Sequence, residues 1–164
     1  MLRFLFPRLT SARARGAELF RAVTERARAK HWYVEGEVPD TVDGRFAMLA
    51  TLIALVLLRF ESEQDAEGSV ALTERFVEAM EAEHREMGMG DPKLGRTVRK
   101  LVGSLGRRVE LWRNSTWEEA AQASVYGTNS PPAKALEHTA GALKELWKEL
   151  DAAPAGALAE GRIG

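Results

Sequence analysis

The sequence predicts an all-α, single-domain bundle of about six helices with no sheet. Three observations predict it. Apolar residues recur at steps of three and four along most of the chain, capping and helix-breaking residues stand where each run ends, and no segment sustains period-two alternation rich in β-branched residues. The 164 residues match one domain, and 45% hydrophobic with 29% charged residues describe an ordinary globular chain. Without cysteine, disulfides and thiolate metal sites are excluded.

The first helix is expected from about Ser11 to Lys30, with Leu19, Phe20, Val23 and Ala27 on its apolar stripe. The first 17 residues carry Arg3, Arg8, Arg13 and Arg15 and no acid, which suits a basic first helix, a presequence or a weak interfacial anchor. No uninterrupted apolar run follows the first arginine as a secretory signal would require. His31 to Pro39 reads as a loop in which Trp32 and Tyr33 serve either as an exposed contact or as a lid over the core. Asp40 or Thr41 can cap the second helix, whose run Phe46–Leu58 is apolar on every side and marks the axis of the core. Thirteen residues of helix span roughly 20 Å, short of the ~30 Å of a bilayer interior.

A third helix, about Ser69 to Met87, aligns Leu72, Phe76, Met80, His84 and Met87, and Gly88 suits a left-handed cap. The fourth aligns Leu94, Val98, Leu101, Leu105, Val109 and Trp112 and puts Lys93, Arg96, Lys100 and Arg107 on the opposite side. Ser115-Thr-Trp-Glu118 reads as a capping box for a short fifth helix. Pro131-Pro132 introduces the last helix, with Leu136, Ala140, Leu143, Trp147 and Leu150 inward. The organisation is a basic segment over 1–18, a helical domain over 19–150, and an Ala/Gly-rich tail over 151–164 that should fray.

The net charge of −1 hides segregation: +6 over residues 1–31, −2 over 32–60, −7 over 61–87, +5 over 88–113 and −3 over 114–164. If helices three and four lie side by side, their charges could neutralise each other; otherwise oppositely signed faces result. Catalytic motifs are missing. There is no nucleophile elbow and no phosphate loop, and Gly88-x-Gly90 follows a helix rather than a strand. His31, His84 and His138 have no partner histidine at i+3 or i+4, so no metal site or cofactor is expected, and His84 reads as a packed, hydrogen-bonded group. Met80, Met87 and Met89 fit core packing with one loop methionine, or a surface for varied apolar segments.

Three strings, Val38-Pro-Asp-Thr-Val-Asp-Gly-Arg-Phe46, Arg85-Glu-Met-Gly-Met-Gly-Asp-Pro-Lys-Leu-Gly-Arg96 and Leu105-Gly-Arg107, resemble in order and spacing the ubiquinol-cytochrome c chaperone family of alphaproteobacteria and mitochondria. The resemblance covers roughly Leu19 to Trp112. Two positions depart from it: Leu105 stands where an aromatic residue would be expected, and the second helix lacks a histidine.

The resemblance implies a non-enzymatic assembly factor for respiratory complex III whose client is newly made cytochrome b. It also implies the ribosome or a small helical co-chaperone as further partners, and a bacterial cytoplasmic protein with peripheral contact at the inner face of the membrane. Motif residues Asp40, Asp43, Gly44, Arg45, Arg85, Glu86, Gly88, Gly90, Asp91 and Gly106 are expected to be structural. Gly88 and Gly90 would reverse the chain and Asp91 would cap the fourth helix. Client contacts are expected at Lys93, Arg96, Lys100, Arg107, Met87, Met89, Trp32 and Tyr33. The alternative from another class is a nucleic-acid- or ribosome-binding module using the same basic helix, without specific DNA recognition, since a pI near 6.3 is unfavourable for that.

Overall fold

The structure, a computed structural model, describes residues 7–154 and 156–163, with side chains from residue 16 onward. The expected basic residues Arg3, Arg8, Arg13 and Arg15 therefore lie outside the described side chains. Among the described residues the fold is all-helical: α1 (Pro7–Ala27), α2 (Lys30–Tyr33), α3 (Val42–Ser62), α4 (Ala66–Glu86), α5 (Asp91–Asn114), α6 (Trp117–Ala121) and α7 (Ala133–Ala152). A π-helical turn, Gln122–Tyr126, extends α6, and a 3-10 turn spans Leu158–Glu160.

The apolar run, interrupted only by Thr51, places α3 at the centre, in contact with α1, α4, α5, α7 and the π turn. Met48 and every residue from Ala50 to Val56 are buried. Removing this much apolar surface from water is the main favourable term holding the bundle together. Around α3, Leu19 and Val23 of α1, Leu72 and Phe76 of α4, and Leu143 and Leu150 of α7 complete the core.

Local chemistry explains the helix starts. The Thr41 hydroxyl accepts the Gly44 N–H at 3.1 Å, so Thr41 caps α3, while Asp40 pairs with Arg45 at 2.7 Å instead. A β-carbon on Gly44 would lie 1.8 Å from the Pro39 carbonyl oxygen, so only glycine lets the chain turn into α3 here. Asp65 caps α4 by accepting the Gly68 N–H at 2.9 Å, three residues earlier than the apolar stripe suggests. At the other end of α4, Gly88 is left-handed (φ 86°), and the N–H groups of Gly88 and Met89 return to the carbonyls of Arg85 and His84.

Several expectations are corrected. Gly90 is extended (φ −76°) and is itself the N-cap of α5, so it does not reverse the chain. Asp91 occupies the first helical turn with no capping bond, and its carboxylate lies 3.8 Å from Arg85. The capping box of α6 is Thr116 with Glu119, one residue later than expected, because Ser115 closes α5. The stretch from His31 is not all loop: Lys30–Tyr33 forms a helical turn. Described residues of the tail are packed where fraying is expected. Ala157, Leu158 and Ile163 are buried, and the 3-10 turn lies against α1, where a β-carbon on Gly161 would meet the Glu18 carbonyl at 2.9 Å.

Buried polar groups are paired. The Ser124 hydroxyl on the π turn lies 2.6 Å from Thr51 Oγ1 of α3 and accepts the Trp112 indole N–H of α5 at 3.1 Å. The Arg108 guanidinium donates to the Ser124 carbonyl at 3.1 Å and sits over the Phe46 ring. Burial, reinforced by neighbouring Arg107, lowers its pKa. The Tyr126 hydroxyl donates to the Gly36 carbonyl at 2.6 Å and meets Thr139 at the same distance, tying the segment before α3 to α7.

Candidate functional site

A groove of about 260 Å³ opens where the end of α1, α2, the first turns of α3, the last turns of α4 and the middle of α5 converge. Its floor is apolar: Ala27 and Met80 are buried, while Phe46, Leu49 and Leu101 are half-buried and partly open to it. Its rim is polar, with Arg28, Asp43, Arg45 and Glu83 exposed around the opening. The volume falls just below the ~300–1,000 Å³ of small-molecule sites, which suits a few side chains of a polypeptide better than a whole cofactor.

The surrounding geometry extends the groove outward. Val42, 62% exposed, lines it from the first turn of α3, and Val34, 67% exposed, follows α2. Met87 is 58% exposed and continues the stripe of Met80 and His84 at helical steps of four and three. Tyr33 forms one wall: its hydroxyl donates to the Ala27 carbonyl at 2.9 Å, and the Arg45 guanidinium lies 5.8 Å from its ring centre. Burial raises the Tyr33 pKa, so the phenol stays neutral and donating. His84 is packed and bonded as expected, its Nδ1 lying 2.8 Å from the Met80 carbonyl.

The expected contact residues divide. Lys93, Arg96, Lys100 and Arg107 are all exposed on one side of α5, joined by Arg99. Among the described residues none of these five cations forms an ion pair, although α4 packs beside α5. The acidic and basic blocks meet through Arg113 with Glu61 and Arg85 with Asp91, which leaves these five cations unpaired. Met87 projects to solvent, whereas Met89 is half-buried in the turn. Trp32 is 3% exposed and its indole N–H donates to the Arg26 carbonyl at 2.8 Å, so it is a lid over the core and is withdrawn from the exposed contacts.

Sequence reasoning missed the groove because its walls come from five separate elements. Phe46, Leu49 and Leu101 each read as ordinary core positions, and Val42 stands only inside a family string. Arg45 and Asp43, expected to be structural, stand on its rim. Three of the motif residues have less structural work than expected. Glu86 is exposed at the end of α4, and Gly90 and Gly106 have open space where a β-carbon would sit. Two histidines without a partner along their own helices meet in space: His31 and His138 lie 3.0 Å apart across α2 and α7. Among the described residues no cluster of three or more metal-ligating side chains occurs, and no helix is long and apolar enough to cross a membrane.

Comparison with known proteins places these features in context. The family model described as ubiquinol-cytochrome c chaperone matches residues 35–163. Among solved structures the chain is similar to the Cbp3 homolog from Brucella abortus, with a TM-score of 0.77 and 26% identity, over 100% of this chain and 96% of that one. No curated protein sequence matches.

Proposed function

The chain belongs to the ubiquinol-cytochrome c chaperone family, and from that premise we propose that it assists assembly of complex III by holding newly made cytochrome b. The observation that carries the reading is the open groove with its Phe46, Leu49, Met80 and Leu101 floor and the exposed Val42 at its edge. A membrane protein without its cofactors and partner subunits exposes apolar segments to water. A groove that accepts two or three apolar side chains over a flexible thioether shields such a segment without demanding one shape.

The unpaired cations of α5 supply a second contact. Lys93, Arg96, Lys100 and Arg107 extend along roughly 21 Å of helix at 1.5 Å per residue, enough to engage several acidic or phosphate groups. Leu101 of the groove floor directly follows Lys100, so one helix serves both contacts. The protein then acts as a binding protein on the cytoplasmic side, with peripheral contact at the inner face of the membrane.

Two variants test the two contacts separately. Arg96→Glu with Lys100→Glu should abolish co-purification of cytochrome b without lowering the melting temperature, because both residues are exposed and unpaired. Val42→Glu, also on an exposed position, should reduce co-purification by about tenfold, equivalent to ~1.4 kcal/mol. Normal co-purification in both variants contradicts the reading.

The same cations favour one competing partner, ribosomal RNA. Affinity for RNA should fall steeply with salt, with a slope of about −0.7 per phosphate contacted, whereas an apolar client contact should respond much less.

A further inference from the structure

The groove wall formed by Tyr33 belongs to a short strap, residues 30–38, that crosses from α1 to the start of α3. Most of its attachments are indifferent to protons near neutrality. Trp32 and Val38 are buried, the Val38 N–H donates to the Trp32 carbonyl at 3.0 Å, and the Gly36 carbonyl accepts the Tyr126 hydroxyl. One attachment is different. His31 Nδ1 of the strap lies 3.0 Å from His138 Nε2 of α7, with the rings edge to face at 5.2 Å between centres.

Such a contact needs one of the facing nitrogens to carry a hydrogen and the other to carry a lone pair. Neutral rings satisfy this, and so does a pair holding one extra proton, where an imidazolium donates to an imidazole. A second proton puts N–H groups on both facing nitrogens and two positive charges 3.0 Å apart, and the bond is lost.

The charged surroundings pull both ways. Arg26 of α1 faces His31 and is held there by Glu149 of α7. Glu35, from the strap itself, is the acid that favours charging His31. On α7, exposed Lys134 precedes His138 by one turn and exposed Glu137 adjoins it. The neutral Trp32 ring lies 4.1 Å from the His31 ring, centre to centre. Burial, with His138 next in weight, pushes the His31 pKa below its usual value.

We propose that the His31–His138 pair is a proton-operated latch on this strap, closed at neutral pH and opened when both rings are protonated. Opening removes one attachment of the segment that carries Tyr33, while the bonds of Trp32, Tyr33 and Gly36 remain, and so loosens one wall of the groove. The coupling of the latch to client release rests on the groove being the client site; the latch itself does not.

Hydrogen exchange of residues 30–38, corrected for intrinsic rates, reads the latch in the full chain. Between about pH 7.5 and pH 5 the wild-type strap should gain exchange by roughly tenfold while the core of α3 stays protected. In His31→Gln/His138→Gln the change should be less than about twofold. Equal pH responses in the two proteins overturn the latch, as does wild-type exchange that rises together in strap and core.

An NMR titration of the wild-type imidazoles covers the case in which the double variant does not fold. His31 and His138 should titrate as a coupled pair in two separated steps, and two independent titrations near the usual histidine value of about 6.5 overturn the proposal. In a third arm, a purified complex with cytochrome b should release its client over the same pH range. Retention of the client after the strap has opened overturns the coupling to the groove. If cytochrome b fails to co-purify even at neutral pH, the chaperone reading fails, and the strap's exchange still decides the latch.

Discussion

Gly44 and Gly106 both sit inside helices and both belong to strings that identify the family, yet their surroundings ask for opposite outcomes on substitution. At Gly44 a β-carbon would collide with the Pro39 carbonyl, a backbone atom that cannot step aside. Gly44→Ala should therefore destabilise the protein by about 1–3 kcal/mol in urea denaturation, the usual cost of overpacking. Gly106 is exposed with open space around it, and Gly106→Ala should stabilise by roughly 0.5–1 kcal/mol through the unfolded chain and the helix preference of alanine. Ser124→Ala removes the acceptor of the buried Trp112 indole N–H and the partner of Thr51, and should cost about 1–3 kcal/mol. Motif membership alone separates none of these cases. The sequence singles out Gly44 and Gly106 equally, and only the position of the Pro39 carbonyl distinguishes them.

Among the elements, those with strong local signals were legible and those defined by packing were not. The all-round apolar run of α3, the stripe and glycine stop of α4, and the prolines before α7 specify their helices locally. The helical turn α2 and the π turn are short, and only tertiary contacts hold them: Trp32 under α1, and Ser124 and Tyr126 against α3, α5 and α7. The tail was misread for the same reason. Alanine and glycine suggest fraying, but Leu158 and Ile163 join the core, with the 3-10 turn against α1, in a packing that the sequence does not announce. Truncation after Ala153 should accordingly lower stability by about 3 kcal/mol or more, at ~1.5–3 kcal/mol for each large buried apolar side chain, measured by chemical denaturation. A truncated protein as stable as the full chain contradicts the packed tail.

Across the whole molecule, charge segregation and the groove act together. Part of the basic block seen along the sequence becomes a face of unpaired cations on α5, and in the proposed function the groove, which no linear motif encodes, supplies the apolar contact. Stability should carry two pH edges. The folded-state pKa of His31 is lowered, so its contribution is present above the unfolded value of about 6.5 and is lost as pH falls through the folded one. The pKa of Tyr126 is raised, chiefly by burial, so the contribution of its neutral hydroxyl is present below about pH 10 and is lost as pH rises beyond the folded value. Melting temperatures across this range should fall at both ends, and His31→Gln should flatten the acid edge alone.

The claim that this protein chaperones cytochrome b into complex III is tested most directly in a strain from which its gene is deleted, by measuring assembled complex III and its ubiquinol–cytochrome c reductase activity. The account predicts that both are lost, that the wild-type gene restores them, and that neither Val42→Glu nor Arg96→Glu/Lys100→Glu does. Normal complex III in the deletion strain would contradict it.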